Sequence, residues 1–238
     1  MNKSTPLVFL LVIAFSASAA AADRVIKDTL PAAGVHEIKL SAKVGKVRIA
    51  PSDDNSVHIA VTLKPKTNGF WFVQWSSGEK VVAKATLRHS LNDGVLSLSL
   101  GSVDADSSDF EEQWEVTLPA TTAIDGDLDI GKADVDGMSG GVKFDVNVGD
   151  LNVAVPHGSV HATINVGKIS VATAETDYKT LDAEASVGDI AINGLSQVPS
   201  KTSRSGPAQS LHLTGRGNDD FVLKSDVGHV TLTFGAKP

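Results

Sequence analysis

Apolar and polar residues alternate along most of this chain, as in Val142–Val148 and Val160–Val166. Alternation with a period of two is typical of β-strands that bury one face. In the middle of the chain, glycines recur every nine residues, at Gly131, Gly140, Gly149, Gly158 and Gly167. Because glycine adopts a positive φ without steric cost, we expect the chain to turn a corner at these positions. The regular period predicts a repetitive all-β architecture.

A six-residue motif, apolar-Gly-polar-apolar-any-apolar, recurs along the sequence. Its copies are Val44–Ile49, Ile130–Val135, Val148–Val153, Val166–Val171, Val187–Ile192 and Val227–Leu232. In the four central copies the glycines lie 18, 18 and 21 residues apart. This spacing predicts coils of about 18 residues, each with two strands and two corners.

Positions 18 residues apart match in type, which favours a β-solenoid. The predicted internal ladders are Leu151, Ile169 and Ile190; Val153, Val171 and Ile192; and Val148, Val166 and Val187. One coil buries too little apolar surface to offset its loss of conformational entropy, so coils must stack. An antiparallel β-sandwich or meander is the alternative, because Val148–Leu151 also suits a two-residue hairpin turn with glycine first.

The first half of the chain is less regular. Apolar runs predict strands at Val35–Leu40, Val44–Ile49, Val57–Leu63, Phe70–Trp75, Val81–Leu87 and Val95–Leu100. We interpret residues 23–118 as irregular coils or a cap and residues 119–238 as regular repeats, within one domain spanning 23–238. We expect no helix longer than two turns, and a serine-rich loop at Gln197–Pro207.

Residues 1–22 have the pattern of a secretory signal peptide. Lys3 supplies a basic start, Pro6–Phe15 is an apolar stretch too short to span a bilayer, and Ser16–Ala22 offers small residues for cleavage. The sequence therefore predicts an exported protein, periplasmic or extracellular, with no transmembrane segment after cleavage.

Composition excludes several classes of function. The formal net charge of −7 argues against a nucleic-acid partner, which requires a basic surface. The chain has no cysteine, which excludes disulfide-stapled modules, thiol enzymes and cysteine-ligated metal sites. No cofactor is predicted.

The repeated Gly-Asp-Ile/Leu-x-Val motif, the Trp114–Pro119 strand and the closing segment Gly215–Val230 resemble the bacterial putative-adhesin family, a class of domains of unknown function. The resemblance extends from about Trp114 to Phe234, and more loosely over Val35–Leu63. It implies right-handed β-helix-like repeats in an exported or envelope protein. The family has no established catalytic residues to carry over.

Four of the chain's 12 aromatic residues lie in the segment Phe70–Trp75. In a strand, Trp71 and Trp75 share one face about 13 Å apart, and Phe70 lies on the other. Exposed tryptophans at that spacing suit stacking on sugars or on an apolar partner, whereas buried ones would join the core. Phe70, Trp71 and Trp75 are the predicted ligand-binding residues.

Other candidate sites have simpler explanations. The acidic segment Asp104–Glu115 resembles a calcium loop, but Asp109 stands where that loop needs glycine. His157 and His161 have no evident third ligand, so we predict no metal site. Gly215–Gly217 is interpreted as a turn, because no helix follows it to form a phosphate site.

These observations predict a non-enzymatic exported β-repeat protein that binds a polymer or protein of the envelope or the extracellular space. A polysaccharide-active β-helix enzyme is the first alternative, and it would need two carboxylates facing one groove. The second alternative is a structural or stress-responsive envelope protein that captures cationic peptides on an acidic face.

Overall fold

The computed structural model describes residues 23–65, 77–101, 110–195 and 203–236. This part of the chain is all-β, with thirteen strands linked into one sheet and a single eight-residue helix. The strands are β1 (Arg24–Pro31), β2 (Glu37–Pro51), β3 (Ser56–Pro65), β4 (Thr86–Asn92), β5 (Val95–Gly101), β6 (Phe110–Leu118), β7 (Ala123–Asp136), β8 (Val142–Val155), β9 (Val160–Thr173), β10 (Thr180–Asn193), β11 (Ser203–Ser205), β12 (Ala208–Thr214) and β13 (Asp220–Thr233). The helix is α1 (Ser77–Lys84). No helix in the described ranges is long and apolar enough to cross a membrane.

Six long strands form the regular part of the sheet, in the order β2-β7-β8-β9-β13-β10. All five neighbouring pairs are parallel and in register, so that Val142 of β8 lies beside Val160 of β9. Paired residues of β7 and β8, and likewise of β8 and β9, are 18 apart in the sequence, as the repeat predicts. The two halves of each strand turn their buried side chains toward one common core.

The last strand is inserted out of sequence. β13 lies between β9 and β10, so Val230 separates Ile169 from Ile190, and Leu232 separates Val171 from Ile192. The predicted stacking of β10 directly on β9 is therefore wrong. The motif of β13 has the same length and apolar positions as the others, which allows it to take this place in register.

At the N-terminal end the sheet divides. Along one edge, the first half of β2 pairs in parallel with β5, and its second half pairs in parallel with β6. β4 is antiparallel to β5, while β3 and β1 continue antiparallel from β6. The strands predicted at Val57–Leu63 and Val95–Leu100 are confirmed. The two predicted at Val35–Leu40 and Val44–Ile49 form the single strand β2, which begins at Glu37 rather than at Val35.

The strand predicted at Val81–Leu87 is wrong, because α1 ends at Lys84 and β4 begins at Thr86. Val82 and Ala85 are the buried residues here, and their separation of three is the spacing of a helical face. Arg24 stabilises this arrangement, since its Nη1 donates to the carbonyls of Val82 and Ala83 at 2.7 and 2.6 Å. A cation at a helix C-terminus is favourable for the helix dipole.

The C-terminal end of the sheet is covered only in part. β12 pairs antiparallel with the first half of β10, and β11 follows beside β12. In the second half of β10, the buried side chain of Gln209 bonds the strand edge: its Oε1 accepts the N–H of Ile190 at 2.7 Å. Phe221 and Phe234 pack edge to face with their ring centres 5.3 Å apart and close this end of the core.

Candidate binding surface

A row of aliphatic side chains runs along the outside of the sheet, where the six long strands bend. We call it the corner ridge; its members, one from each strand in spatial order, are Val44, Ile130, Val148, Val166, Val227 and Val187. Val44 is half-buried, and the other five are 40–49% exposed. At the usual strand spacing of about 4.8 Å, six members span about 24 Å.

The ridge corrects the sequence-based prediction that Val148, Val166 and Val187 form an internal ladder. In β8 the buried residues are Val142, Phe144 and Val146 before the bend, and Leu151, Val153 and Val155 after it. The buried positions thus change from even to odd numbers. The side chains of residues 147, 148 and 150 are exposed at the bend, and Gly149 between them is half-buried.

A column of glycines makes the bend possible. The glycine column consists of Gly45, Gly131, Gly149, Gly167, Gly228 and Gly188, all with φ between +143° and +152°. A Cβ on Gly149 would overlap the carbonyl oxygen of Gly131, and the same relation repeats along the column. Only glycine therefore satisfies both the backbone conformation and the close approach of the next strand.

Two rows of polar side chains flank the corner ridge. The amide row precedes it and consists of Lys43, Asp129, Asn147, Asn165, Asp226 and Ser186. The charged row follows the glycines and consists of Lys46, Lys132, Asp150, Lys168, His229 and Asp189. Every member of both rows is exposed except the half-buried Asp129. The ridge is thus an apolar line between two hydrated borders, the general arrangement of a recognition surface.

Contacts within these rows hold the side chains in place. In the amide row, Asn165 Nδ2 donates to Asn147 Oδ1 at 2.8 Å, and Lys43 lies 3.8 Å from Asp129. Lys132 of the charged row pairs with Asp134 at 2.9 Å, and this hydrogen bond raises the pKa of the lysine. Contacts with neighbouring side chains therefore hold parts of both borders of the ridge in place.

The face beside the amide row carries acidic side chains. Asp125 lies between Lys39 and Lys143, at 3.5 and 3.1 Å. Partial desolvation, and then the negative charge of Asp129 and Asp145, raises the pKa of Asp127. Asp127, Asp129 and Asp145 thus form a small negative cluster on this face, which favours cationic groups.

A buried carboxylate lies at the N-terminal end of the glycine column. Glu112 of β6 takes the position beside Gly45 that a glycine occupies in the other strands. Its Oε2 accepts the indole N–H of Trp114 at 2.7 Å, and its side chain also hydrogen-bonds the backbone of Lys43. Burial raises the pKa of Glu112 despite these bonds. The sequence pattern of the acidic segment resembles a calcium loop and does not predict this structural role of Glu112.

A polar depression of about 240 Å³ lies between β10, β12 and β13. Asp182, Glu184, Ser210, His212 and Lys224 contribute to its lining. His212 Nδ1 hydrogen-bonds the Asp182 carboxylate across the antiparallel pair. This depression extends the polar outer face to the C-terminal end of the sheet.

The predicted ligand-binding residues Phe70, Trp71 and Trp75 lie outside the described residues, as does the acidic segment from Asp104 to Asp109.

The remaining candidate residues lie apart from the ridge. His157 lies in the turn before β9, and His161 lies on the outer face of that strand. Across the part of the chain that the structure describes, no three histidine or carboxylate side chains are grouped to hold a metal ion. Gly215 and Gly217 lie in the connection before β13, where the Gly217 N–H donates to the carbonyl of Tyr178 at 2.9 Å.

No family model matches the chain, and no curated protein matches it. Among solved structures, it is similar to a "putative cell adhesion protein" from Clostridium sporogenes, with 14% identity, a TM-score of 0.49, and coverage of 90% of this chain and 100% of that one. A "putative adhesin" from Bacteroides fragilis has 13% identity, a TM-score of 0.30, and coverage of 89% and 97%. A "putative adhesin" from Parabacteroides distasonis has 12% identity, a TM-score of 0.28, and the same coverage. Likeness at this level assigns neither a family nor a partner to this chain.

Proposed function

We propose that this chain is an exported, non-enzymatic β-repeat protein that binds a partner in the cell envelope or outside the cell through its corner ridge. The observation that carries the proposal is the exposure of five aliphatic side chains in one continuous row. Single exposed apolar residues are ordinary, but a contiguous apolar surface bordered by polar residues is typical of an interaction site. Localisation rests on the signal-peptide pattern of residues 1–22.

We further propose that the regular part of the sheet winds as a right-handed β-solenoid, within one domain spanning residues 23–238. In support, successive parallel strands pair at a constant offset of 18 residues through β7, β8 and β9. Both halves of each strand contribute to one core, as the two walls of a coil do. In a solenoid, each coil would add one member to the ridge and lengthen the binding surface by one strand spacing.

The contacts that the outer polar side chains make with one another support a binding role. The Asp125 carboxylate is held between two lysines, and the Asn147 amide is held by Asn165. These contacts hold the polar groups in fixed positions beside the ridge, as in the polar border of a binding surface.

The aromatic segment is proposed as a second contact. Phe70, Trp71 and Trp75 combine apolar area with ring faces that stack on sugars or apolar groups. Support for this contact comes from the sequence alone, so it needs its own variant in any binding experiment.

The test is co-sedimentation of the mature protein with purified envelope fractions and whole cells. In Val148→Thr/Val166→Thr, each substitution keeps the β-branched shape and replaces an exposed methyl with a hydroxyl. We expect the fold to remain and the affinity to fall about tenfold, since each buried methyl contributes about 0.8 kcal/mol. Trp71→Ala/Trp75→Ala tests the aromatic contact in parallel.

The matched control is Leu91→Thr, which changes another aliphatic residue, 50% exposed on β4 and away from the ridge. Its binding should equal that of the unchanged protein. Equal binding by the ridge variant, or an unchanged protein that neither binds any fraction nor associates with itself, would contradict the proposed function.

A further inference from the structure

We propose that the partner on the corner ridge is a second copy of this chain, with the two ridges packed antiparallel about a two-fold axis. This inference rests on the proposed function and names the partner of the same surface. A two-fold dimer uses one patch on both copies, so the patch must be complementary to itself. The order of side chains in the two flanking rows meets that condition at the centre of the ridge.

The charged row is largely self-complementary when it is reversed. From β2 to β10 it carries Lys46, Lys132, Asp150, Lys168, His229 and Asp189. In an antiparallel dimer, Asp150 lies opposite Lys168 of the second copy at the centre, and Lys46 lies opposite Asp189 at the ends. Between them Lys132 lies opposite His229, so two of the three pairings join opposite charges. The symmetry produces each of these opposite-charge pairs twice.

The amide row gives a compatible centre. Asn147 and Asn165 occupy its two middle positions and already form a hydrogen bond of 2.8 Å within the chain. In the antiparallel dimer, Asn147 of each copy lies opposite Asn165 of the other, and amides supply both donors and acceptors. Farther out the fit is poorer, because Asp129 then lies opposite Asp226. That mismatch supplies a separate test.

A parallel dimer fits less well. It would pair Asp129 with Lys132, but it would place Lys43 opposite Lys46. Each ridge residue would also lie directly against the same residue of the second copy. An antiparallel dimer allows the two ridges to shift by half a strand spacing, about 2.4 Å, so that the aliphatic side chains interleave. Interleaving gives closer packing than head-to-head contact.

The size of the ridge predicts a reversible association. Five half-exposed aliphatic side chains and two narrow polar borders form a contact at or below the small end of specific interfaces, which is about 1,200 Å² of total buried area. The dimer should therefore exchange with monomer as concentration changes.

The experiment is sedimentation equilibrium of the mature protein up to its highest soluble concentration. The average mass is expected to rise from one chain toward two. Asp150→Lys and Lys168→Asp each place like charges at the centre of the dimer, so each should weaken association at least about tenfold. An equal mixture of the two variants restores both opposite-charge pairs and should associate nearly as well as the unchanged protein.

Three further variants separate the dimer from other effects. Asp53→Lys makes the same change of charge as Asp150→Lys in an exposed turn and should leave association unchanged. Asp129→Asn removes the predicted repulsion and should strengthen association, whereas a parallel dimer, in which Asp129 faces Lys132, would be weakened. Val148→Thr/Val166→Thr should weaken association.

A protein that stays monomeric at every concentration, or a mixture that associates no better than its components, overturns this inference. Ridge-dependent binding to envelope fractions by such a monomer would leave the proposed function intact and assign the ridge to a different partner. Self-association that the ridge variants do not change overturns the inference and moves the dimer contact elsewhere.

Discussion

Gly149→Ala is expected to destabilise the protein by at least about 3 kcal/mol or to prevent folding. Gly149 has a φ of +146°, which residues with a side chain rarely adopt, and its Cβ would overlap the carbonyl oxygen of Gly131. Neither strand can move away, because both are held by in-register parallel pairing on each side. Denaturant unfolding followed by circular dichroism measures the loss.

Gly34→Ala separates the two causes of this effect. Gly34 also has a positive φ, of +81°, but nothing lies within 4 Å of the position its Cβ would take. Only the backbone strain is added, so the expected loss is about 1 kcal/mol. Equal losses in the two variants would show that the close stacking of the glycine column is not what requires glycine.

Phe144→Ala is expected to cost about 3–5 kcal/mol, as for other large side chains removed from a core. Phe144 is fully buried on β8, and its ring lies over Gly126 of the neighbouring strand, where a Cβ would overlap the ring. The Phe144 ring thus fills the volume that Gly126 leaves free because it has no side chain. Alanine at 144 would leave that volume empty.

A double-mutant cycle tests this complementarity. Gly126→Ala alone should cost about 1–3 kcal/mol by overpacking against the ring. Combined with Phe144→Leu, which frees part of the space, it should cost clearly less than the sum of the two single changes. Additive losses would mean that the two residues do not share the volume.

The sequence predicted the strands and their register well where the repeat is strict. Alternation over Val142–Val146 and a glycine at a constant position are both local signals, and each arises from the geometry of a single strand. The helix α1 was missed for a related reason. Val81 and Ala83 are two residues apart, as apolar residues on one face of a strand are. The buried pair Val82 and Ala85 are three residues apart, as on one face of a helix.

The position of β13 could not be predicted from pattern alone. Its motif, Val227–Leu232, pairs equally well in type with the motifs of β9 and β10, so the apolar pattern allows it to lie beside either strand or between them. The structure places it between them, with Val227 next to both Val166 and Val187. The positions that equivalent strands take in the sheet depend on the chain connections and on contacts at the strand ends, rather than on the repeat.

The corner ridge was missed because the apolar pattern allows two positions for the change of face. Apolar residues at 142, 144 and 146 and then at 151, 153 and 155 place the change from even to odd positions between Val146 and Leu151. The change needs two consecutive residues that face outward, which are 147 and 148 if Val148 is exposed, or 149 and 150 if Val148 is buried. In the structure Val148 is exposed, so the alternation of buried residues stops at Val146.

The most direct test of the account is the chemical accessibility of one thiol on the ridge. The chain has no cysteine, so Val148→Cys introduces a single reactive group. In dilute protein the thiol is predicted to react almost as fast as in the unfolded chain, and to become protected when an envelope partner or concentrated protein covers the ridge. Leu151→Cys, at a fully buried position, should react only as the protein opens. A slow reaction at position 148 in dilute protein, or a rate that no partner changes, would contradict the claim that the ridge is an exposed binding surface.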